Sequence, residues 1–344
     1  MASVTAPVEQ PLDADEIPAS RKPPSLVKQM LSNRLSISGF ILLGFFVFVA
    51  LGAPILAPSP ENSRDPMKIP RDGFGTVPLP PGSPWVRNPP PLPFWWKPLT
   101  GLDAWTHPFG VASGGWDIYY GVVWGTRTAF LAGMIITFVT LVIGVLIGSF
   151  SAYYGGAVDL ILQRITEVFM TFPFLMAALT AATILQPLIG GKTGVGGAGL
   201  ITAGIAIIVF GWMGYSRLIR GDILSVRERD YVMAARAVGS KDFRIMTKHI
   251  IPNAVFPTLV VASLDIGTYV LTFAALSFLG LGAEQGYADW GQLLSFARNW
   301  ITTLDQYWYI VFFPAVALVF FVMGWNLVGD AARDILDPRM RKTR

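Results

Sequence analysis

Six stretches of the chain are apolar over a length that approaches or reaches a bilayer span. They cover residues 35–56, 128–152, 168–188, 198–213, 254–282 and 309–328. A helix rises about 1.5 Å per residue, so roughly 20 apolar residues cross a hydrocarbon core about 30 Å thick. Backbone groups in lipid must be paired within their own segment, so the stretches are expected to be helices. The pattern predicts an all-α membrane protein with about six transmembrane helices. Pro173 and Pro187 interrupt the third stretch, and the fifth holds a single acid, Asp265.

The polar connections differ in kind. Residues 1–34 are polar and contain Pro7, Pro11, Pro18, Pro23 and Pro24. No apolar run starts near Met1, so this segment reads as a tail and not as a cleaved signal peptide, with a short helix expected over 25–33. Residues 57–121 form a long loop with Pro80, Pro81, Pro89, Pro90 and Pro91, which excludes a regular helix there. Its Trp85, Trp95, Trp96, Trp105 and Trp116 suggest packing at a membrane interface, where indoles are favoured. The loop reads as a structural cap, with substrate binding as the alternative.

Composition agrees with a membrane protein. Of 344 residues, 53% are apolar and 14% charged, against about 25% charged in soluble domains. With no cysteine, disulfides, thiolate metal sites and cysteine nucleophiles are excluded. The only histidines, His107 and His249, lie far apart in sequence, which argues against a histidine-rich metal site.

Charge gives an orientation. With the N-terminus inside and sides alternating, most of the 26 basic residues fall inside, as the positive-inside rule requires. Eight of them lie in 217–252: Arg217, Arg220, Arg227, Arg229, Arg236, Lys241, Arg244 and Lys248. Both termini are thus expected in the cytoplasm, with 217–252 as the main cytoplasmic loop and 331–344 as a cytoplasmic tail. A net charge of +4 is explained by such loops better than by nucleic-acid binding.

Within that loop, Asp230 is expected to cap a short helix over 232–238 that Gly239 stops. A second helical piece over 242–249 leads to Pro252, where the next span is expected to begin. A small helix–Gly–helix unit would therefore project from the membrane, with Ala234, Ala235 and Ala237 allowing close approach by a partner. The residues alone leave open a second reading, an ordinary basic loop that only fixes topology.

The segment resembles the EAA loop of ABC importer permeases, in which Glu-Ala-Ala is followed after three residues by Gly and, thirteen positions later, by Pro. Ala234-Ala235, Gly239 and Pro252 stand at that spacing, while Met233, His249 and Ile251 depart from the pattern. The resemblance covers most of the chain and narrows to the dipeptide, oligopeptide and nickel subfamily, and to its second, C-type permease. It is carried by Tyr153-Tyr154-Gly155-Gly156 with Asp159, Arg164, Glu167 and Phe172-Pro173. Trp212, Tyr215, Arg217, Arg220, Arg227-Glu228 and Asp230-Tyr231 add to it, as do residues 276–282 with Trp290-Gly291, and Asn326, Gly329-Asp330, Arg333-Asp334 and 337–339. Residues 111–117 and Phe273 depart from the subfamily, and the loop over 57–121 is unusually long.

The resemblance implies a type I ABC importer permease fold in a prokaryotic cytoplasmic membrane, with residues 122–330 as the permease core. It implies pairing with a second permease, docking on two separate ATPase subunits or domains, and delivery of substrate by an extracytoplasmic binding protein. It also implies that Asp230, Ala234, Ala235, Arg236 and Gly239 form the ATPase-coupling surface. The chain itself is expected to bind no cofactor, ATP-Mg being held by the partner ATPases. Gly190-Gly191-Lys192-Thr193 lacks the Gly that a phosphate loop needs five residues before its Gly-Lys pair, where Gln186 stands, and reads as a flexible loop. For the substrate path the candidates are Asp265, Tyr269 and Thr272, a polar stripe within the fifth span. Asp265 either lines an aqueous pathway or pairs with a neighbouring helix. Peptides come first as cargo, with nickel and oligosaccharides open. A secondary transporter, a channel and a structural scaffold are the competing classes, and none explains the loop spacing.

Overall fold

A computed structural model describes residues 34–60, 65–87, 89–193 and 198–336. The expected tails and the short helix over 25–33 lie outside the described residues. Five described helices, or helix runs, are long and apolar enough to cross a membrane, and six if one sharply bent pair is a single span. The first is α1, Arg34–Leu56. After a short α2, Trp96–Thr100, comes α3, Ile118–Tyr154, whose 37 residues extend over about 55 Å. It starts ten residues earlier than the apolar run suggests. Asp117 caps it, its Oδ1 accepting from Tyr120 N at 2.6 Å, and Arg127, which ended the apolar run in the sequence, donates to the Ala50 carbonyl of α1 at 2.5 Å.

The third predicted span is corrected. Residues 168–170 belong to an amphipathic helix, α4, Gly156–Met170, and the next helix, α5, Phe174–Thr193, turns away from it by 88°. Pro173 causes the break: it has no N–H to donate and keeps Phe172 out of the helical region. Residues 190–193, read as a flexible loop, are the last turn of α5.

The fourth run is α6, Ala198–Gly211, continued beyond Trp212 by α7, Met213–Val226. A projecting unit follows, made of α8, Asp230–Ala237, and α9, Asp242–Ile245. A π-helical turn, Met246–Ile250, and α10, Ile251–Ala254, lead to the fifth span, α11, Phe256–Phe278. Then come α12, Trp290–Ser295, a 3-10 turn, Arg298–Thr303, α13, Leu304–Tyr307, and the last span, α14, Tyr309–Leu336. The fold is not purely helical: β1, Val111–Ala112, pairs antiparallel with β2, Trp116–Asp117.

The long α3 organises the core. At its start it packs with the segment after α1, with α12 and with α14, around Ile69, Ile118, Trp124, Trp290 and Ile310. Its middle meets α5, α6 and α11 around Ile136, Ala178, Ile207 and Phe273. Its last turn meets α7 and the α8–α9 unit around Ala152, Ile219, Ile223, Val232 and Ile245. Gly144 and Gly148, one turn apart, let α3 lie directly against α7; a Cβ at either would collide with Tyr215 or Ser216. Close backbone approach across small residues is how helices gain contact where water supplies no drive. Large apolar side chains on the outside, such as Phe48, Leu51 and Phe138, suit contact with lipid.

At the starting end of α3, residues 65–87 and 89–117 form a cap. His107 is fully buried between two carboxylates, Nδ1 2.5 Å from Asp117 Oδ2 and Nε2 3.2 Å from Asp72 Oδ2, with the Trp85 ring stacked on it. Asp72 also accepts from the backbone N–H groups of Val86 and Arg87. Trp96 and Trp105 pack on one another inside this cap, and indole N–H groups of Trp95 and Trp124 close on the last carbonyls of α1 and its continuation, Ile55 and Ala57. Trp85, Trp96 and Trp105 thus take part in the packing of the cap. Nearby, Asp289 caps α12 by accepting from Gln292 N at 2.9 Å, and its burial raises its carboxyl to about 6.

Candidate coupling site

The α8–α9 unit is a knuckle closed by Gly239. Gly239 has φ +78°, the left-handed region that favours glycine. Its N–H donates to Arg236 O at 2.9 Å and the Ser240 N–H reaches back to Ala235 O at 3.1 Å. This is a Schellman closure, which satisfies the end of α8 and turns the chain sharply into α9. Asp230 is the first residue of α8 and not its cap; Arg229 holds the cap position, without a side-chain hydrogen bond to the helix. A carboxylate in the first turn still favours the positive end of the helix dipole.

The knuckle has a buried root and an exposed crown. Val232, Ile245, Met246 and Ile250 are buried against Ile219 and Ile223 of α7 and Ala152 of α3. Polar ties reinforce the root. Tyr153 Oη at the end of α3 donates to Asp242 Oδ1 of α9 at 2.6 Å, and the Arg236 guanidinium lies over the Tyr153 ring at 5.6 Å. Arg227 donates to the Ala152 carbonyl at 2.8 Å. One layer deeper, Arg220 of α7 grips Asp159 of α4 with two bonds, 2.7 and 2.6 Å, and Ser151 of α3 donates to the same carboxylate. Three helices are therefore locked together where the knuckle springs from them.

The predicted coupling residues come together on the crown. Asp230, Ala234, Arg236 and Gly239 are exposed, and a Cβ at Gly239 would meet nothing within 4 Å. Ala235 differs: it is half-buried and packs on the root. Apolar side chains stand exposed beside them, Val238 at 81% and Phe243 at 68%, with Met233 and Tyr231 near half. An apolar crown with a basic rim, on a rigid base, is the physical form of a docking surface for another protein.

The substrate stripe is placed less simply. Tyr269 is buried, its hydroxyl donating to Gly211 O of α6 at 2.9 Å, and the Thr272 hydroxyl bonds back to Thr268 O of its own helix. Asp265 is half-buried and lies beside the buried Tyr215 of α7. Among the described residues no group of three or more His, Cys, Asp or Glu side chains is disposed to hold a metal ion.

Residues 144–342 match the family model described as binding-protein-dependent transport system inner membrane component. The chain belongs to this family of transport permeases. It is 32% identical over 314 residues to the dipeptide transport system permease protein DppC of Alkalihalophilus pseudofirmus, covering 91% of this chain and 89% of that one. It is 37% identical over 233 residues to the probable D,D-dipeptide transport system permease protein DdpC of Escherichia coli, covering 68% and 74%. Among solved structures, an inward-facing crystal form of the MetNI methionine ABC transporter aligns with a TM-score of 0.50 at 19% identity, covering 63% of this permease and 96% of that chain, a likeness of fold.

Three polar ties of the permease escaped residue-by-residue reading: Asp159–Arg220, Tyr153–Asp242 and Arg227–Ala152. A signal existed for the first. Asp159, Gln163 and Thr166 recur at helical spacing on α4, which marks a polar face turned toward the protein.

Proposed function

We propose that this permease is the C-type membrane subunit of an ATP-driven importer of di- and oligopeptides. It pairs with a second, related permease to enclose the pore, and separate ATPases and an extracytoplasmic binding protein complete the machine. Both termini and the knuckle lie in the cytoplasm, and the cap over 65–117 faces outward where the binding protein docks. The distribution of basic residues supports that orientation. The names of the two relatives above support peptides as cargo.

The observation that carries the mechanism is the knuckle itself: an apolar crown rigidly rooted on the ends of α3, α4 and α7. Asp230, Ala234, Ala235, Arg236 and Gly239 form or support the surface that seats in an ATPase cleft. When the ATPases bind ATP and close, the crown is displaced, and the Arg220–Asp159 and Tyr153–Asp242 ties pass that displacement to the helices as a rigid-body motion. Chemistry on ATP-Mg belongs to the ATPases; this subunit changes which side of the pore is open. Of the stripe on α11, Asp265 keeps a place on the solute path, Tyr269 holds that helix against α6, and the Thr272 hydroxyl is returned to its own helix.

A mild-detergent pull-down of the tagged permease from its native membranes, followed by mass spectrometry, tests the assembly. Recovery of a second permease and an ATPase with a phosphate-loop motif is expected. A stable homo-oligomer without an ATPase would refute the proposal.

A further inference from the structure

At the cap end lies a polar pocket of about 590 Å³, within the ~300–1,000 Å³ range of small-molecule sites. The cap contributes Thr76, Ser113 and Gly114, the turn after α11 contributes Gln285, the end of α12 contributes Ser295 and the 3-10 turn beyond it Asn299. No lining side chain carries a charge. The side chains of Thr76, Ser113, Gln285 and Asn299 make no hydrogen bond to any described residue, so four sets of donors and acceptors are open to a ligand.

The walls are built to hold this shape. Gln292 lies buried behind the pocket, accepting from Gly286 N at 2.8 Å and donating to Ala283 O at 2.9 Å and Glu284 O at 2.5 Å, which fixes the turn that presents Gln285. On the cap side the Arg71 guanidinium lies between the Phe74 and Trp116 rings at 4.3 Å from each, and Nε donates to Gly114 O at 2.9 Å. Arg71 makes no ion pair with a described acid. A cation with no ion-paired acid among the described residues thus lies against Gly114, which lines the pocket.

We propose that this pocket receives the main chain of a short peptide on its way into the pore, with its carboxylate end toward Arg71. The inference rests on the importer reading above and adds a site to it. Hydroxyls and carboxamides both donate and accept, as peptide groups do, and an uncharged lining neither selects nor rejects cargo by side-chain charge. A bare metal ion would find no carboxylate or imidazole in the lining.

The test uses the complete importer in proteoliposomes with labelled tri-alanine outside. The double variant Gln285→Ala, Asn299→Ala removes two exposed side chains that support nothing else, so it leaves folding intact. KM for uptake is expected to rise about tenfold, with ATP hydrolysis and the binding protein's own affinity for tri-alanine within twofold of wild type. Ser113→Trp, which fills the pocket, is expected to do the same more strongly. Unchanged uptake kinetics in both variants would overturn the proposal. So would weakened docking of the binding protein at an unchanged KM, which would make the pocket a protein contact. A wild-type complex that imports maltotriose and no peptide would instead sink the peptide reading beneath it.

Discussion

Gly239 makes the most direct mechanical prediction. It holds φ +78° with nothing within 4 Å of a would-be Cβ, so a side chain there clashes with no neighbour and its cost is conformational alone. A non-glycine residue in the left-handed region costs about 1–2 kcal/mol, less for Asn, more for a β-branched residue. The two closing bonds, Gly239 N to Arg236 O and Ser240 N to Ala235 O, bear that cost. Gly239→Ala should therefore raise the local opening constant of the knuckle by about 5- to 30-fold. Gly239→Asn should raise it by less, and Gly239→Val by more. Hydrogen exchange at the Ser240 amide, measured on the purified complex, reads that constant, because the amide is protected only while the closure holds. Transport per ATP hydrolysed should fall in the same order, Asn, Ala, Val, since an open knuckle transmits no displacement. Equal exchange at Ser240 in all four proteins would refute the mechanical role of the turn. A graded exchange with unchanged transport would refute its role in coupling.

Three further outcomes follow from buried or part-buried polar groups. Arg220→Ala strands the Asp159 carboxylate among α3, α4 and α7 and should cost about 2 kcal/mol, read as a lowered unfolding temperature that Asp159→Asn in the same chain partly restores. His107→Gln leaves Asp72 and Asp117 facing each other in a buried site, a loss of about 3–5 kcal/mol that should expose residues 72–87 to proteolysis while Ser240 exchange stays normal. Asp289 titrates near 6 in the folded chain against 3.8 for an ordinary aspartate, so its proton favours the folded state below pH 4 and that contribution is lost as pH rises through 6. Asp289→Asn keeps an acceptor for Gln292 N and cannot ionise. Its unfolding temperature relative to wild type should climb between pH 4 and 6.5, and a flat difference would remove the buried carboxyl from the account.

What could be read in advance was set by local rules. Apolar length fixed where the chain crosses the membrane, because a helix and a bilayer each have one dimension that must match. Gly239 and its spacing to Pro252 located the knuckle, since a left-handed turn has few residues to choose from. Errors arose where distant residues decide. Arg127 looked like a boundary because its acceptor, Ala50 O, lies on another helix. The right angle between α4 and α5 was hidden by reading an apolar run through Pro173, although the proline was the signal against it. His107 meets Asp72 and Asp117 only after a 45-residue stretch of chain folds back, and single-sequence spacing carries no trace of that. Asp230 shows the finer limit: its residue type suits both the cap and the first turn, and backbone geometry alone separates them by one position.

The chain has no cysteine, which makes one measurement especially clean. Val238→Cys places a single thiol on the crown, and Phe94→Cys places one at the opposite end, both at positions about 80% exposed. With a short thiol-to-amine cross-linker in native membranes, the Val238→Cys chain is expected to be trapped on a protein carrying a phosphate-loop motif, with a yield that changes when ATP is added. The Phe94→Cys chain is expected to yield no such adduct. Trapping of the ATPase from Phe94→Cys, or none from Val238→Cys in a complex that still transports, would contradict coupling through the knuckle.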